Sequence, residues 1–310
     1  MGIKIHFINV GPGDCTIVHF PERTRKDGKT KAERIMMIDI NHHEDDDDYE
    51  HVIDYYKNNF KNGDGSLKPI FRFIVSHPHQ DHICGLSKLF ADNDIQLLNF
   101  WDLDHSFEPE NYDGHPTHRD DWSAYQSKRA KKEGNPTIIH THREDSPRLY
   151  WNDDEDRIVV LAPTLEMIKK AHSKKEDGSK REPHEIDVDS ISYAFLIKVN
   201  DWKIIFAGDG KESVWQDIYD NCKDHIKSCH ILKAPHHGHE SAFHEETVKL
   251  MNPALIVFSN SEDEDADNGA ANLYAAAAPN ALILKTWEHG TIVADCPFEI
   301  TEKITYTTTR

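Results

Sequence analysis

Short apolar runs separated by turn-forming residues open the chain. Lys4 to Val10 and Thr16 to Phe20 read as two strands joined by Gly11-Pro12-Gly13-Asp14, a turn rich in residues that permit unusual backbone angles. A third strand covers Arg34 to Ile40, and the polar stretch before it, with Asp27-Gly28 near its middle, reads as a hairpin connection. The period then changes. Val52, Tyr55, Tyr56 and Phe60 are helically spaced within His51 to Phe60, after an acidic run at Glu44 to Glu50. Ile70 to Val75 is a short apolar strand that runs directly into Ser76-His77-Pro78-His79-Gln80-Asp81-His82, and helical spacing resumes in Ile83, Leu86, Leu89 and Phe90.

Residues 104–155 carry many His, Asp, Glu and Trp residues with no sustained period, and we read them as an insertion or substrate-facing lid. Order returns with a strand at Arg157 to Leu161, a helix near Leu165 to His172 and a charged loop from Ser173 to Asp187. Ile191 to Val199 and Lys203 to Ala207 form two strands joined at Asn200-Asp201, the second ending at Gly208-Asp209. A helix over Ser213 to Cys222 precedes the strand Ser228 to Lys233, which delivers Ala234-Pro235-His236-His237-Gly238. The last third alternates helix and strand: Glu245 to Met251, Leu255 to Phe258, a helix within Gly269 to Ala277, and Leu282 to Lys285, before a hairpin at Thr291 to Tyr306. No internal repeat stands out. Strands with interleaved helices imply a layered α/β architecture.

Composition narrows the function. The 310 residues suit one large domain, and 55 acidic against 36 basic residues give a formal net charge of −19. Such a surface repels polyanions at long range, which weighs against a broad groove for duplex nucleic acid, although a metal centre supplies local positive charge for a phosphate. The N-terminal residues lack a signal-peptide pattern and no stretch is apolar for long enough to span a bilayer, so a cytoplasmic location without membrane contact is expected. Cys15, Cys84, Cys222, Cys229 and Cys296 are too few and scattered for a disulfide framework, and reduced thiols with packing roles are expected. Sequence leaves oligomeric state and protein partners open.

Three polar clusters follow three apolar strands. His77, His79, Asp81 and His82 put three imidazoles and a carboxylate, ordinary zinc ligands, on the loop between a strand end and a helix start. In an extended loop His77 and His79 point the same way at period two, while Asp81 and His82 can turn toward a second point, so the spacing suits two metals. Asp209 follows Ile204-Ile205-Phe206-Ala207 and a glycine at another strand end, where a carboxylate can bridge two cations or cap the next helix. His236-His237-Gly238 repeats the pattern after Ile231-Leu232-Lys233, and one histidine of this pair is expected on metal and the other on substrate. Convergence of the three clusters on one edge of the domain is the expectation for α/β layers.

These pieces resemble the metallo-β-lactamase superfamily, and within it the soluble hydrolase domain of the ComEC DNA-uptake proteins and their free-standing relatives. The matching segments are Phe7-Ile-Asn-Val-Gly-Pro-Gly-Asp14, Met37-Ile-Asp39, Ser76-His-Pro-His-Gln-Asp-His82, Val160-Leu-Ala-Pro163, Asp187-Val-Asp-Ser190, Phe206-Ala-Gly-Asp209 and Leu232-Lys-Ala-Pro-His-His-Gly238, in the family's order. The resemblance implies a four-layer αββα sandwich with a dinuclear site at one edge of its sheets. It implies that His77 and His79 hold one metal, that Asp81 and His82 hold the other, and that Asp209 bridges. His237 would complete the second position and His236 would lie close to substrate. Many members place a further histidine where this chain has Asp187 and Asp189, so one of these, His184, or His140 or His142 from the insertion, completes the first position. Asp14 and Asp39 belong to family motifs and are expected to orient metal-bound histidines.

The expected activity is metal-dependent hydrolysis with two divalent ions, zinc or else manganese, and a metal-activated water. Asp81 and His236 are the expected catalytic contacts. The ComEC-like resemblance points to a phosphodiesterase or nuclease, and the acidic surface to small or single-stranded substrates. Lys211 and Lys233 are candidates for phosphate, and Trp101, Trp122 and Trp151 for base stacking. Hydrolysis of non-nucleotide esters, or metal-stabilised binding without turnover, are the competing expectations.

Overall fold

The structure is a computed structural model that describes residues 2–24, 28–44, 46–109, 116–145, 156–175, 178–298 and 303–310. Two sheets carry it. The first has eight strands: β1 (Gly2–Phe7), β2 (Thr16–Phe20), β3 (Arg34–Ile38), β4 (Ile70–Ile74), β5 (Asn99–Asp102), β6 (Thr137–His140), and, from the far end of the chain, the strands Ile292–Pro297 and Thr305–Thr308. Its spatial order places those last two beside β1, followed by β2 to β6. The second sheet runs in chain order through β7 (Asp156–Ala162), β8 (Ala194–Val199), β9 (Trp202–Ala207), β10 (Ile231–Lys233), β11 (Leu255–Phe258) and β12 (Leu282–Lys285). Each sheet changes from antiparallel to parallel pairing at a strand that leads to a polar cluster. β3 pairs parallel with β4, which leads to His77, and β9 pairs parallel with β10, which follow each other from Asp209 to His236.

Side chains alternate across a strand, so a strand buried on both faces is apolar throughout. Phe195, Ile197, Ile204, Phe206 and Ile231 face the core between the sheets, and Phe206 meets Phe7 of β1 there at a ring separation of 6.5 Å. The alternate residues Leu196, Ile205, Leu232 and Ile256 pack outward against Val214, Trp215 and Ile218 of the helix Glu212–Asn221 and against Val248, Met251 and Tyr274. On the other side the first sheet is covered by α1 (Val52–Asn59), α3 (Leu86–Ala91) and α4 (Pro116–Arg129), with the one-turn α2 (Gln80–Ile83) leading into α3. The layers are therefore helix, sheet, sheet, helix. No helix among the described residues is long and apolar enough to cross a membrane.

Several boundaries differ from the sequence reading for local reasons. β1 stops at Phe7, and the helix after the histidine loop is broken at Gly85, whose φ of 88° starts α3 afresh. Ile191 closes a short 3-10 turn from Asp189, and the strand begins at Ala194. Residues 104–155 contain α4 and β6, and Trp101, Trp122 and Tyr125 are buried, so Trp101 and Trp122 are packing residues and not base-stacking platforms. Trp151 lies outside the described residues. All five cysteines are buried and unbridged.

One buried group in β1 sets an acid sensitivity. Burial, aided by His19 and Lys4, lowers the His6 imidazole to about 4. Its Nδ1 meets the Tyr55 hydroxyl at 2.8 Å, while Nε2 is buried with no hydrogen-bond partner among the described residues. In the unfolded chain the same group takes up a proton near 6.5, so between the two values the unfolded state binds more protons. Its contribution is complete above that range and falls, by at most about 3 kcal/mol, as pH is lowered toward 4. His6→Asn is expected to lose less stability than the parent between pH 7 and 4.5 in urea denaturation, and equal losses would show that His6 is not the sensitive group.

Candidate metal centre

The histidine loop is held by its backbone before any side chain is considered. Val75 N–H donates to Trp101 O at 3.0 Å and Tyr193 N–H to Ser76 O at 2.9 Å, so the strand end is tied to both sheets. Ser76 N–H donates to Asp39 Oδ1 at 2.6 Å. Beyond it, the buried Asp121 of α4 accepts from Gly85 N–H and Ser87 N–H, each at 2.9 Å, and from the Gln80 amide at 3.3 Å. That carboxylate caps α3 from outside and grips the turn that carries Asp81 and His82. The segment read from sequence as an insertion thus contributes a fixing point for the loop.

The other two clusters depend on close backbone approach. A Cβ at Gly208 would lie 2.0 Å from Ser192 Oγ, so glycine precedes Asp209 for lack of room. His236 and His237 both adopt left-handed backbone angles (φ 50° and 54°), and a Cβ at Gly238 would enter the Phe258 ring at 1.8 Å. Strained backbone of this kind at a strand end accompanies functional sites.

These loops bring the clusters together. His77, His79 and Asp189 form one group, with ligand atoms all within 4.8 Å of one another, and His82, Asp209 and His237 belong to a second group of the same tightness. Within the first, His77 Nε2 lies 3.0 Å from His79 Nδ1, and His79 Nδ1 lies 3.1 Å from Asp189 Oδ1. Asp209 Oδ2 stands between the groups, 3.7 Å from His77 Nε2, 3.3 Å from His82 Nε2 and 3.4 Å from His237 Nε2. Asp81 Oδ2 closes the second group at 3.4 Å from His82 Nε2 and 3.1 Å from His237 Nε2. His77, His82, Asp209 and His237 are buried and make the floor, whereas the side chains of His79, Asp81 and His236 are 41%, 39% and 29% exposed and make the mouth.

Asp14 also falls within the second group, but it approaches from behind. Its Oδ2 is 3.7 Å from His237 Nδ1 and carries the ion pair with the buried Lys233 ammonium. Asp81, which faces the same Nε2 atoms as Asp209, is the carboxylate on the open side. Behind the floor, His237 Nδ1–H donates to Ser259 O at 3.0 Å, which turns Nε2 toward Asp81 and Asp209. His82 Nδ1 is bonded to Asp39 Oδ2 at 3.0 Å in the same sense. Such outer partners fix ring tautomer and orientation.

Several sequence candidates lie elsewhere. Asp187 pairs with Lys211 at 2.9 Å, His140 Nδ1 bonds Asp102 O at 3.2 Å, and His142 is taken by Glu144 at 2.8 Å. His184 is exposed, and Lys233, being buried, is not a surface phosphate ligand. The sequence reading missed Ser76 and Ser192. Ser192 Oγ accepts from Asp209 N–H at 3.0 Å and lies 3.4 Å from His77 Nδ1, a role that no spacing of hydroxyl residues announces.

The electrostatics follow from this crowding. Burial opposes charge on Asp209, yet His82, His237 and His77 outweigh it and hold the carboxyl well below its ordinary range. Burial likewise opposes charge on His82 and His237, but Asp209 with the surrounding carboxylates holds both imidazoles well above theirs. Burial, reinforced by His82, drives His77 the other way. A set of buried carboxylates thus demands positive charge at its centre, and divalent cations can replace the protons. The donor set fits that role: imidazole nitrogens face carboxylate oxygens across two small spaces, and buried Asp209 Oδ1 has no hydrogen-bond partner among the described residues.

No protein-family model matches the chain, and no curated protein matches it by sequence. Solved structures do match. Igni18, a metallo hydrolase from the hyperthermophilic archaeon Ignicoccus hospitalis, aligns over 95% of this chain and 100% of its own, with 12% identity and a TM-score of 0.50. A long form RNase Z from yeast aligns over 96% of this chain at 13% identity and a TM-score of 0.44, with this chain spanning 42% of its length. Zn(2+)-bound PqqB from Methylobacterium extorquens aligns over 94% of this chain and 100% of its own, at 8% identity and a TM-score of 0.43. The likeness to Igni18, at 12% identity, is one of fold, and with the layer order and sheet topology above it gives the chain the αββα metallo-β-lactamase fold.

Proposed function

We propose that the protein is a metal-dependent hydrolase with two divalent ions, zinc or manganese, that acts on phosphodiesters in small or single-stranded nucleic-acid substrates. The observation that carries this reading is the position of Asp209 Oδ2, 3.3 to 3.7 Å from imidazoles of both groups. His77, His79 and Asp189 would hold one ion, Asp81, His82 and His237 the other, and Asp209 would reach both. Asp189 in place of a further imidazole makes the first position richer in oxygen, which favours tolerance of harder ions such as manganese. Two divalent ions held by these residues would lower the pKa of water and neutralise charge on the group attacked.

The chain's own residues supply orientation. Asp81, at the mouth, accepts a hydrogen bond from the attacking water and so aims it at the substrate. His236, whose Nε2 lies 3.9 Å from Asp209 Oδ2 and whose Nδ1 is near Ser241 Oγ at 3.2 Å, presents its ring to the substrate side and donates to an oxygen of the reacting group. The choice of phosphodiester over carboxylic ester rests on the ComEC-like motifs. Purified protein supplied with zinc or manganese is expected to turn over bis-p-nitrophenyl phosphate and not p-nitrophenyl acetate. The reverse preference would make it an esterase, and bound metal without either turnover would make it a binding module.

A further inference from the structure

Beside the first group lies a cavity of about 230 Å³ whose wall includes Lys170, Arg181, Asp187, Ser190 and Ser213. It is large enough for more than a phosphate ion, and Met167, Ala171 and Val214 give it an apolar side. Its chemistry departs from that of a chain whose net charge is −19. Lys170 lies in the last turn of the helix Leu165–Ala171, and Arg181 is fixed by donation from Nε to Ser173 O at 3.1 Å. Ser213 sits in the first turn of the helix Glu212–Asn221, which has no side-chain cap, and brings a hydroxyl to the cavity wall.

The acidic wall residue does not oppose an anion with its full charge. Asp187 accepts two hydrogen bonds from Lys211 Nζ, both at 2.9 Å, and one from Ser190 Oγ at 2.7 Å. The same Lys211 Nζ is 3.6 Å from Asp189 Oδ2, whose other oxygen touches His79. The cavity wall and the metal group therefore share one short segment, residues 187–190, joined through Lys211. We infer that this cavity binds a second phosphate of the substrate, one that flanks the scissile phosphodiester, with Lys170 and Arg181 on the anion and the apolar side against the sugar or ring that carries it. The inference rests on the phosphodiesterase reading and deepens it by naming where the substrate's specificity lies.

The test compares thymidine 5′-(p-nitrophenyl phosphate) with the same compound bearing a 3′-phosphate. In the parent the 3′-phosphate is expected to lower KM. In the Lys170→Met/Arg181→Gln double variant that advantage should shrink about tenfold, the scale of losing charge-assisted hydrogen bonds to a phosphate. Calorimetric titration of thymidine 3′,5′-bisphosphate into parent and variant reads the cavity without any turnover, and the same tenfold weakening is expected. If neither ester is hydrolysed but bisphosphate binding weakens in the variant, the cavity assignment stands and the phosphodiesterase reading fails. If the 3′-phosphate gives no advantage in the parent, or if parent and folded variant bind bisphosphate equally, the cavity assignment is overturned.

Discussion

Asp209→Asn is expected to leave the protein folded and to remove bound metal and hydrolysis together. The substitution keeps the shape of the side chain while replacing the one carboxylate whose Oδ2 lies within 3.7 Å of His77, His82 and His237. An amide offers a weaker donor oxygen and no charge, so both positions lose affinity at once. Loss of an outer partner of a metal ligand costs about 10–100-fold, and Asp39→Asn, whose carboxylate bonds His82 Nδ1 and Ser76 N–H, should fall in that range. Asp209→Asn should exceed it, with turnover of bis-p-nitrophenyl phosphate down by about a thousandfold or more, on the scale of losing a preorganised charge at a reacting centre. Metal per chain by mass spectrometry and initial rates on the same samples give the ordering. If Asp209→Asn keeps two ions and turns over within tenfold of the parent, the bridging role is wrong.

The contrast between the two residues explains what could be read from the sequence. Asp209, His77, His79, Asp81, His82 and the 236–237 pair were legible because each cluster directly follows an apolar strand, and strand ends in layered α/β folds gather at one edge. Strand alternation made the layers legible too, since the buried positions of β8 to β11 are apolar apart from Lys233 at the end of β10. The fourteen-residue helix α4 was not legible. Its sequence, PTHRDDWSAYQSKR, offers two large apolar side chains, Trp122 and Tyr125, in place of a stripe, so no period emerges. Nor could the order of His236 and His237 be settled by spacing. Two consecutive left-handed residues turn His237 to the buried floor and leave His236 at the mouth, a backbone event with no local signature in two identical residues. The hydroxyl of Ser192 was missed for a similar reason, because its contact with His77 joins segments more than a hundred residues apart.

Lys233, on sequence one of two candidates for phosphate, belongs instead to the scaffold. Its ammonium is buried, is paired with the equally buried Asp14 Oδ2, and lies 3.4 Å from Ala207 O. Lys233→Met keeps most of the stem's volume but leaves the Asp14 carboxylate without its cation, and breaking a buried pair from one side costs about 3–5 kcal/mol. The double variant Asp14→Asn/Lys233→Met removes both charges and should recover much of that loss, because the cost lies in the stranded charge more than in the missing bond. Urea midpoints of the parent, the two single variants and the double variant give the coupling directly. Asp14 Oδ2 also stands 3.7 Å behind His237 Nδ1, so the double variant, even if stable, should bind metal more weakly than the parent through a less firmly held ring. A single Lys233→Met variant as stable as the parent would mean that the Asp14 carboxylate is not left stranded, and a double variant no better than the single would place the cost in packing and not in charge.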